Sequence, residues 1–225
     1  MAFLRSNFGD NAAPTIRSER LWLRTPVMTD HAAWADLRGQ SRQHLTPWEP
    51  QWSMDELARV SFRRRLRHYA NDIKEDLGYA FLIFRRDNDE LIGGLTLSNV
   101  RRGVTQAVCL GYWIGQPHEG NGYMTEAVKA VSAFVFSELK LHRLEAACLP
   151  HNSTSIRVLE RAGFTAEGLA RRYLKINGQW QDHRLFARLC DDPAPLPVGR
   201  SAEMGGVHHD MAGQRTTTAH AGGAV

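Results

Sequence analysis

The feature that most limits what this chain can fold into is a junction near its middle. Residues 107–114 (AVCLGYWI) read as a strand. Residues 118–127 (HEGNGYMTEA) carry two glycines one residue apart. Residues 123–139 read as a helix with Val128, Val131, Val135 and Leu139 on its inward face. A strand that runs through a glycine loop into a helix leaves the first helical N–H groups unpaired, with the positive end of the helix dipole facing out, and this makes an anion site. The residue types narrow the anion. A nucleotide P-loop needs Gly-Lys-Ser/Thr, but Tyr123 and Met124 follow Gly122, and the nearest lysine, Lys129, is inside the helix. A dinucleotide fold needs a third glycine where Thr125 stands, together with a parallel βαβ unit. What survives is a short loop for a pyrophosphate, fed by a strand from an antiparallel meander.

That meander is legible upstream. Residues 79–84 read as a strand, Asp87-Asn88-Asp89 as a turn, and 91–100 as a second strand. Before them, 20–25 (RLWLRT) alternates as a strand. Thr29 or Asp30 can cap a helix with Ala33, Trp34 and Leu37 on one face. Residues 45–52 (LTPWEPQW) form a proline-bounded loop. Ser53 and Glu56 read as a capping box. The helix behind it carries Phe62, Leu66, Tyr69 and Ile73 on one side and Arg63, Arg64, Arg65 and Arg67 on the other. Downstream, 143–149 is a strand, and 152–162 a helix ended by Gly163. Asn177-Gly178 is the type I′ turn of a hairpin between LARRYLKI and QWQDHRLFARL. The order predicts an α/β fold whose mixed, mostly antiparallel central sheet is flanked by helices.

Composition bounds the rest. At 225 residues, 43% apolar and 23% charged, the chain fits a soluble globular domain over 1–190. From Asp191 the sequence turns rich in Pro, Gly and Ala without periodicity, so 191–225 is expected to be a disordered tail. No apolar run approaches the roughly 20 residues of a membrane span, and no signal-peptide core precedes the domain. Cys109, Cys148 and Cys190 have no C-x-x-C spacing, which predicts reduced thiols in a cytoplasm and no metal site. The net charge of +4 suits an anionic cofactor or a ribonucleoprotein neighbourhood.

The loop belongs to a longer set of segments: RSNF, RLWLRT, LTPWEP, SNVRRG, LGYWIGQ, EGNGYMTEA, LHRLEAACLPHN, VLERAGF and YLKINGQWQDH. Together these resemble the GNAT acetyltransferases, and among them the ribosomal-protein-alanine N-acetyltransferases, over roughly residues 5–190. The resemblance implies a GNAT fold with a splayed strand holding acetyl-CoA as co-substrate, and no metal. The backbone of Tyr112, Trp113 and Ile114 would pair with the pantetheine arm. The amides of Gly120, Asn121, Gly122, Tyr123 and Met124 would hold the pyrophosphate. Glu119 stands where Gln or Arg is usual; it is expected to turn away and to weaken binding somewhat. The alanine-type subgroup tolerates methionine at Met124. Asn152 would bond the pantetheine arm as well as cap its helix, and Ser155 would protonate the departing thiolate.

For the acceptor, the resemblance implies that Glu49 binds or deprotonates the attacking amine, that Trp48 walls the groove, and that Tyr173 and Trp180 on the hairpin, with Asp182 and His183, touch the substrate. Each also has a plainer reading: surface carboxylate, core aromatic, packing pair. The implied acceptor is the N-terminal amine of a protein, a small-subunit ribosomal protein beginning with alanine or serine. Arg63, Arg64, Arg65 and Arg67 are either a solvated helix face or a contact to ribosomal RNA. Two alternatives stand beside this reading: acetylation of a small amine such as an antibiotic or polyamine, and a non-catalytic acetyl-CoA-binding factor associated with the ribosome.

Overall fold

The computed structural model describes residues 14–193; the RSNF segment and the expected tail beyond residue 193 lie outside the described residues. The strands are β1 (Thr15–Arg17), β2 (Leu21–Arg24), β3 (Gly78–Arg85), β4 (Leu91–Arg101), β5 (Ala107–Ile114), β6 (Arg143–Cys148), β7 (Thr165–Ile176) and β8 (Gln179–Leu189). They form one eight-stranded sheet in the order β1-β2-β3-β4-β5-β6-β8-β7. Neighbours pair antiparallel except β5 with β6, which run parallel. The mixed, mostly antiparallel sheet expected from the sequence is the sheet that forms.

Strand alternation sorts the core onto two faces. Phe81, Ile83, Leu95 and Leu97 pack with Val128, Val131 and Val135 of helix α4 (Tyr123–Ser137) and Leu159 of α5 (Ser153–Arg161). Leu82, Phe84 and Leu91 face the other way, against Trp34 and Leu37 of α1 (His31–Gln40) and Phe62 of α3 (Arg59–Lys74). A short helix, α2 (Arg42–Leu45), and a 3-10 turn, Thr46–Trp48, follow α1. Each fully buried Val, Leu or Phe contributes about 1.5–3 kcal/mol, so both helical layers are held mainly by this apolar contact.

The parallel pair is short. Ala107–Leu110 of β5 pairs with Arg143–Ala146 of β6. Beyond that, β5 continues to Ile114 bonded only to β4, and β6 continues to Cys148 bonded only to β8. The two strands therefore part in mid-sheet, which is the splay implied by the resemblance, and a gap opens between them.

Four local readings change. Ser53 and Glu56 do not cap a helix: Ser53 Oγ donates to Asp55 at 2.9 Å, Ser61 takes the other Asp55 oxygen at 2.5 Å, and α3 starts at Arg59. Ala33 is exposed while Trp34 and Leu37 are buried. α4 ends at Ser137, although Leu139 remains buried beyond it. Arg65 leaves the arginine face: it turns inward, half-buried, donating to Glu56 at 2.6 Å with its guanidinium over Trp34, while Arg63, Arg64 and Arg67 stay exposed.

Candidate active site

The gap between β5 and β6 is the mouth of a cavity of about 780 Å³. Its wall takes Tyr112, Trp113 and Ile114 from one strand and Ala147 and Cys148 from the other, with Leu149 just beyond it. Gly120 and Gly122 of the glycine loop line its far end, with Tyr123 and Met124 at the start of α4. Gly122 sits at the N-cap of α4 with φ 76°, a left-handed conformation in which glycine carries no Cβ penalty, and no side chain caps the helix. The loop is braced from outside. Arg20 donates through its backbone N and its Nε to Glu126, both at 2.7 Å, and through Nη1 to the Asn121 carbonyl at 3.1 Å. Burial pushes the Glu126 carboxyl up, but the bonds donated by Arg20 and Ser18 outweigh it and hold the group below its ordinary range. The anion site expected from the sequence is thus an uncapped helix start on a loop fixed by a charged brace.

Within the loop, Asn121 behaves differently from its neighbours. Its side chain folds back to donate to the carbonyls of His118 and Glu119, and it does not line the cavity. Glu119 does line it, with its carboxylate leaning toward His44 Nδ1 at 3.7 Å.

Ser155 opens into the same cavity from the first turn of α5. Asn152 caps that helix, its Oδ1 accepting the Ser155 backbone N–H at 2.9 Å, which leaves the Asn152 amide N–H₂ available as a donor. The Ser155 hydroxyl lies 2.7 Å from the Tyr112 hydroxyl. Burial drives the Tyr112 phenol above its usual range, so it stays a protonated partner for Ser155 throughout neutral pH. Cys148 is also pushed up by burial, leaving a neutral thiol on the wall.

A second pocket of about 450 Å³ lies on the other face of the sheet. The two share Trp48, Glu49 and Pro50 of the proline-bounded loop and Gly111, Tyr112 and Trp113 of β5. The Trp113 indole packs closely on β4 because residue 94 is glycine: a Cβ there would lie 2.5 Å from the ring nitrogen. Glu49 sits where the pockets meet, and its carboxylate is engaged by three donors. Arg38 Nη1 and Nη2 donate at 3.1 and 2.6 Å, and the Trp52 indole N–H at 2.8 Å. A carboxylate offers about four acceptor positions, so little of Glu49 is uncommitted. Arg38 is buried, with Trp34, Trp52 and Trp113 around its guanidinium at 5.7, 4.6 and 4.9 Å. Losing either partner of so buried a pair strands the other, at a cost on the order of 3–5 kcal/mol. Nothing in the local sequence around Arg38 marks it.

The hairpin reaches the cavity, through His183 among the residues expected and through three others. Leu174, Lys175, Ile176 and His183 line it. Tyr173 and Trp180 are exposed and line neither pocket. Tyr173 falls within a register shift between Ala170 and Leu174, whereas Trp180 pairs in regular register with Lys175. The turn itself docks on the proline-bounded loop, with the Asn177 N–H donating to the Glu49 carbonyl at 2.9 Å. Elsewhere among the described residues, His142, Cys190 and Asp191 bring potential ligand atoms within 4.8 Å of one another on the exposed surface, away from the cavity wall. No described helix is long and apolar enough to cross a membrane.

Comparisons with known proteins agree with this geometry. A family model described as acetyltransferase (GNAT) domain matches residues 20–165. The chain is 37% identical to a probable N-acetyltransferase, YjcK, of Bacillus subtilis over 79% of its own length and 98% of the relative's. It is also 37% identical to the [ribosomal protein uS5]-alanine N-acetyltransferase of Escherichia coli, over 81% and 95% respectively. Among solved structures, Mycobacterium smegmatis RimJ in complex with CoA-disulfide superposes with a TM-score of 0.73 at 33% identity, covering 79% of this chain and 86% of that one.

Proposed function

The chain belongs to the GNAT acetyltransferase family, whose members use acetyl-CoA, and from that premise we propose that it acetylates the N-terminal α-amine of a protein. The favoured acceptor is a ribosomal protein with a small first residue such as alanine or serine. The observation that carries this reading is the pair of pockets meeting through the splayed sheet, one ending at the glycine loop and the other walled by Trp34, Trp48, Trp52 and Trp113. Acetyl-CoA enters by the first and an extended peptide end by the second, so their reactive groups meet beside Gly111–Trp113. Likeness to the uS5-alanine enzyme supports a protein N-terminus as acceptor.

In this reading the amides from Gly120 to Met124 hold the pyrophosphate, and the β5 backbone with the Asn152 amide holds the pantetheine arm. Holding both substrates in one gap removes the entropy cost of a bimolecular encounter, which supplies much of the acceleration. The amine attacks the thioester carbon directly, with backbone N–H groups of the splayed strand stabilising the oxyanion. Ser155, steadied by Tyr112, gives a proton to the departing thiolate. Glu49, held by Arg38 and Trp52, fixes the wall of the acceptor slot and offers its remaining lone pair to the ammonium. The exposed Arg63, Arg64 and Arg67 supply a weak contact to ribosomal RNA.

A panel of peptides beginning Ala, Ser, Thr, Met, Leu or Phe, with polyamine and aminoglycoside controls, tests the proposal by mass spectrometry. Acetyl on the α-amine of Ala and Ser peptides is expected. Turnover of the small amines with none on peptides, or acetylation of lysine side chains alone, overturns it in favour of a small-molecule or lysine acceptor. Acetyl-CoA binding without turnover of any amine would favour a binding factor.

A further inference from the structure

We propose that His183 is the general base of the transfer, taking the proton from the acceptor amine; this rests on the amine-acetyltransferase reading above. His183 is only 2% exposed, yet it lines the 780 Å³ cavity. Its Nδ1 lies 3.0 Å from the Gln181 carbonyl oxygen. A carbonyl only accepts, so Nδ1 carries the proton and Nε2 carries the lone pair. Nε2 has no hydrogen-bond partner among the described residues. The ring is held on edge to Tyr173 at 5.9 Å. Glu49, the other candidate, has three donors on its carboxylate and is the less available of the two.

The register places His183 on the side where a base is needed. Cys148 of β6 pairs directly with Arg184 of β8, so those two side chains share a face, and His183, one residue on, points to the other. Cys148 lies on the face of Tyr112, Ser155 and α4–α5, where the sulfur leaving group belongs. His183 projects toward the opposite face, the side of Trp113 and the second pocket, from which the amine arrives. Acid and base thus flank the gap from opposite sides of one sheet. The other ionisable side chains on this cavity wall are His44, Glu49, His118, Glu119, Arg157, Arg161 and Lys175, with the Tyr112 and Tyr123 phenols and the Cys148 thiol.

The step balances within the protein. His183 Nε2 takes one proton from the bound ammonium, the freed lone pair forms the C–N bond, the C–S bond breaks with its electron pair going to sulfur, Ser155 gives a proton to sulfur, and the amide nitrogen sheds its remaining extra proton to water. Exchange with water then returns imidazolium and serine oxygen to their starting states.

His183→Asn tests this, because the asparagine amide can still donate to the Gln181 carbonyl while Nε2 is removed. kcat/KM for an Ala peptide is measured at saturating acetyl-CoA from pH 6 to 9.5. The expected loss is roughly 10–100-fold at pH 7. It should shrink to about threefold or less near pH 9, where an α-amine of pKa about 7.7–8.0 is already neutral. Added imidazole should restore part of the rate at pH 7. An unchanged rate, or a loss equal at every pH with no imidazole rescue, overturns the assignment. His183→Gln is the second variant. If both variants also lose the rise in melting temperature with acetyl-CoA, His183 is structural and the proposal fails. A wild type that acetylates no amine at all overturns the underlying reading instead, a result separable from any His183 effect.

Discussion

Replacing Gly122 with valine separates the conformational role of the glycine loop from its binding role. Gly122 has φ 76°, and a Cβ there would meet only Arg20 Nη2 at 3.6 Å, an ordinary contact. Packing therefore does not oppose the substitution; backbone conformation does. A non-glycine residue held left-handed costs on the order of 1–3 kcal/mol, with valine at the upper end. For a domain of this size, about 2–4 °C of melting temperature follows each kcal/mol, so the free variant should melt roughly 2–12 °C lower. Acetyl-CoA at a hundred times its Kd stabilises the wild type by about 2.7 kcal/mol, a rise of roughly 5–11 °C. Gly122→Val should lose that rise, because its side chain stands where phosphate approaches the amides. Gly103 supplies the control. It has φ 68°, has nothing within 4 Å of a would-be Cβ, and sits in the β4–β5 turn outside both pockets. Gly103→Val should lose comparable stability and keep the full acetyl-CoA rise. Thermal melts of both variants with and without ligand decide the matter. A full rise retained by Gly122→Val, or one lost equally in both variants, would refute the placement of the pyrophosphate.

Two further outcomes follow from the site. Ser155→Ala should lower kcat roughly tenfold with little change in KM for acetyl-CoA, short of the ~10²–10⁴ of stronger acids because a thiolate leaves readily. Tyr112→Phe should lower kcat less, and the double variant should match Ser155→Ala alone; additive losses in stopped-assay kinetics would separate the two hydroxyls. Glu126 ionises below its ordinary range in the folded state, so its contribution to stability is present above the unfolded value of about 4.3 and is lost as pH falls through the folded value. Glu126→Gln should therefore destabilise the protein at pH 7 and flatten the acid limb of a melting-temperature profile below about pH 5, and an unchanged acid limb would remove Glu126 from the brace.

The parts of this protein that could be read from its sequence are those decided by neighbours in the chain. β5 coincides with the short apolar run 107–114, and Asn177-Gly178 takes the two positive φ angles, 42° and 81°, that a type I′ turn requires. The glycine loop was legible for the same reason: strand, paired glycines and helix are consecutive, and they leave an uncapped helix start beside the cavity. Local motifs failed where another local partner competed. Ser53 has an acidic residue two positions on as well as three, and the nearer one, Asp55, captures its hydroxyl and leaves the capping box as a turn. Helix amphipathicity misled at α4 because Leu139 keeps the inward period although the backbone has already left the helix.

The acceptor side is different in kind. Arg38 acts only because α1, the proline-bounded loop and β5 bring Trp34, Glu49, Trp52 and Trp113 around it, and no spacing in the chain encodes that convergence. Tyr173 and Trp180 stand out in the sequence as aromatics on a hairpin; Tyr173 falls in a register shift after Ala170 that has no sequence signal of its own, while Trp180 pairs in regular register with Lys175 and is still exposed. His183 did have a sequence signal. It stands two residues before Leu185 and four before Ala187, so alternation in β8 puts it on their face of the sheet, opposite Cys148, and Ala187 is 4% exposed. A histidine at that step of an alternating strand must either be satisfied in the core or open on a cavity. One nitrogen bonded to a carbonyl and the other uncommitted beside 780 Å³ of space is the second case. The binding half of the site is thus written in consecutive residues. The chemical half depends on which faces the sheet turns toward each other across its gap, and there alternation, more than motif, identifies the residue to test.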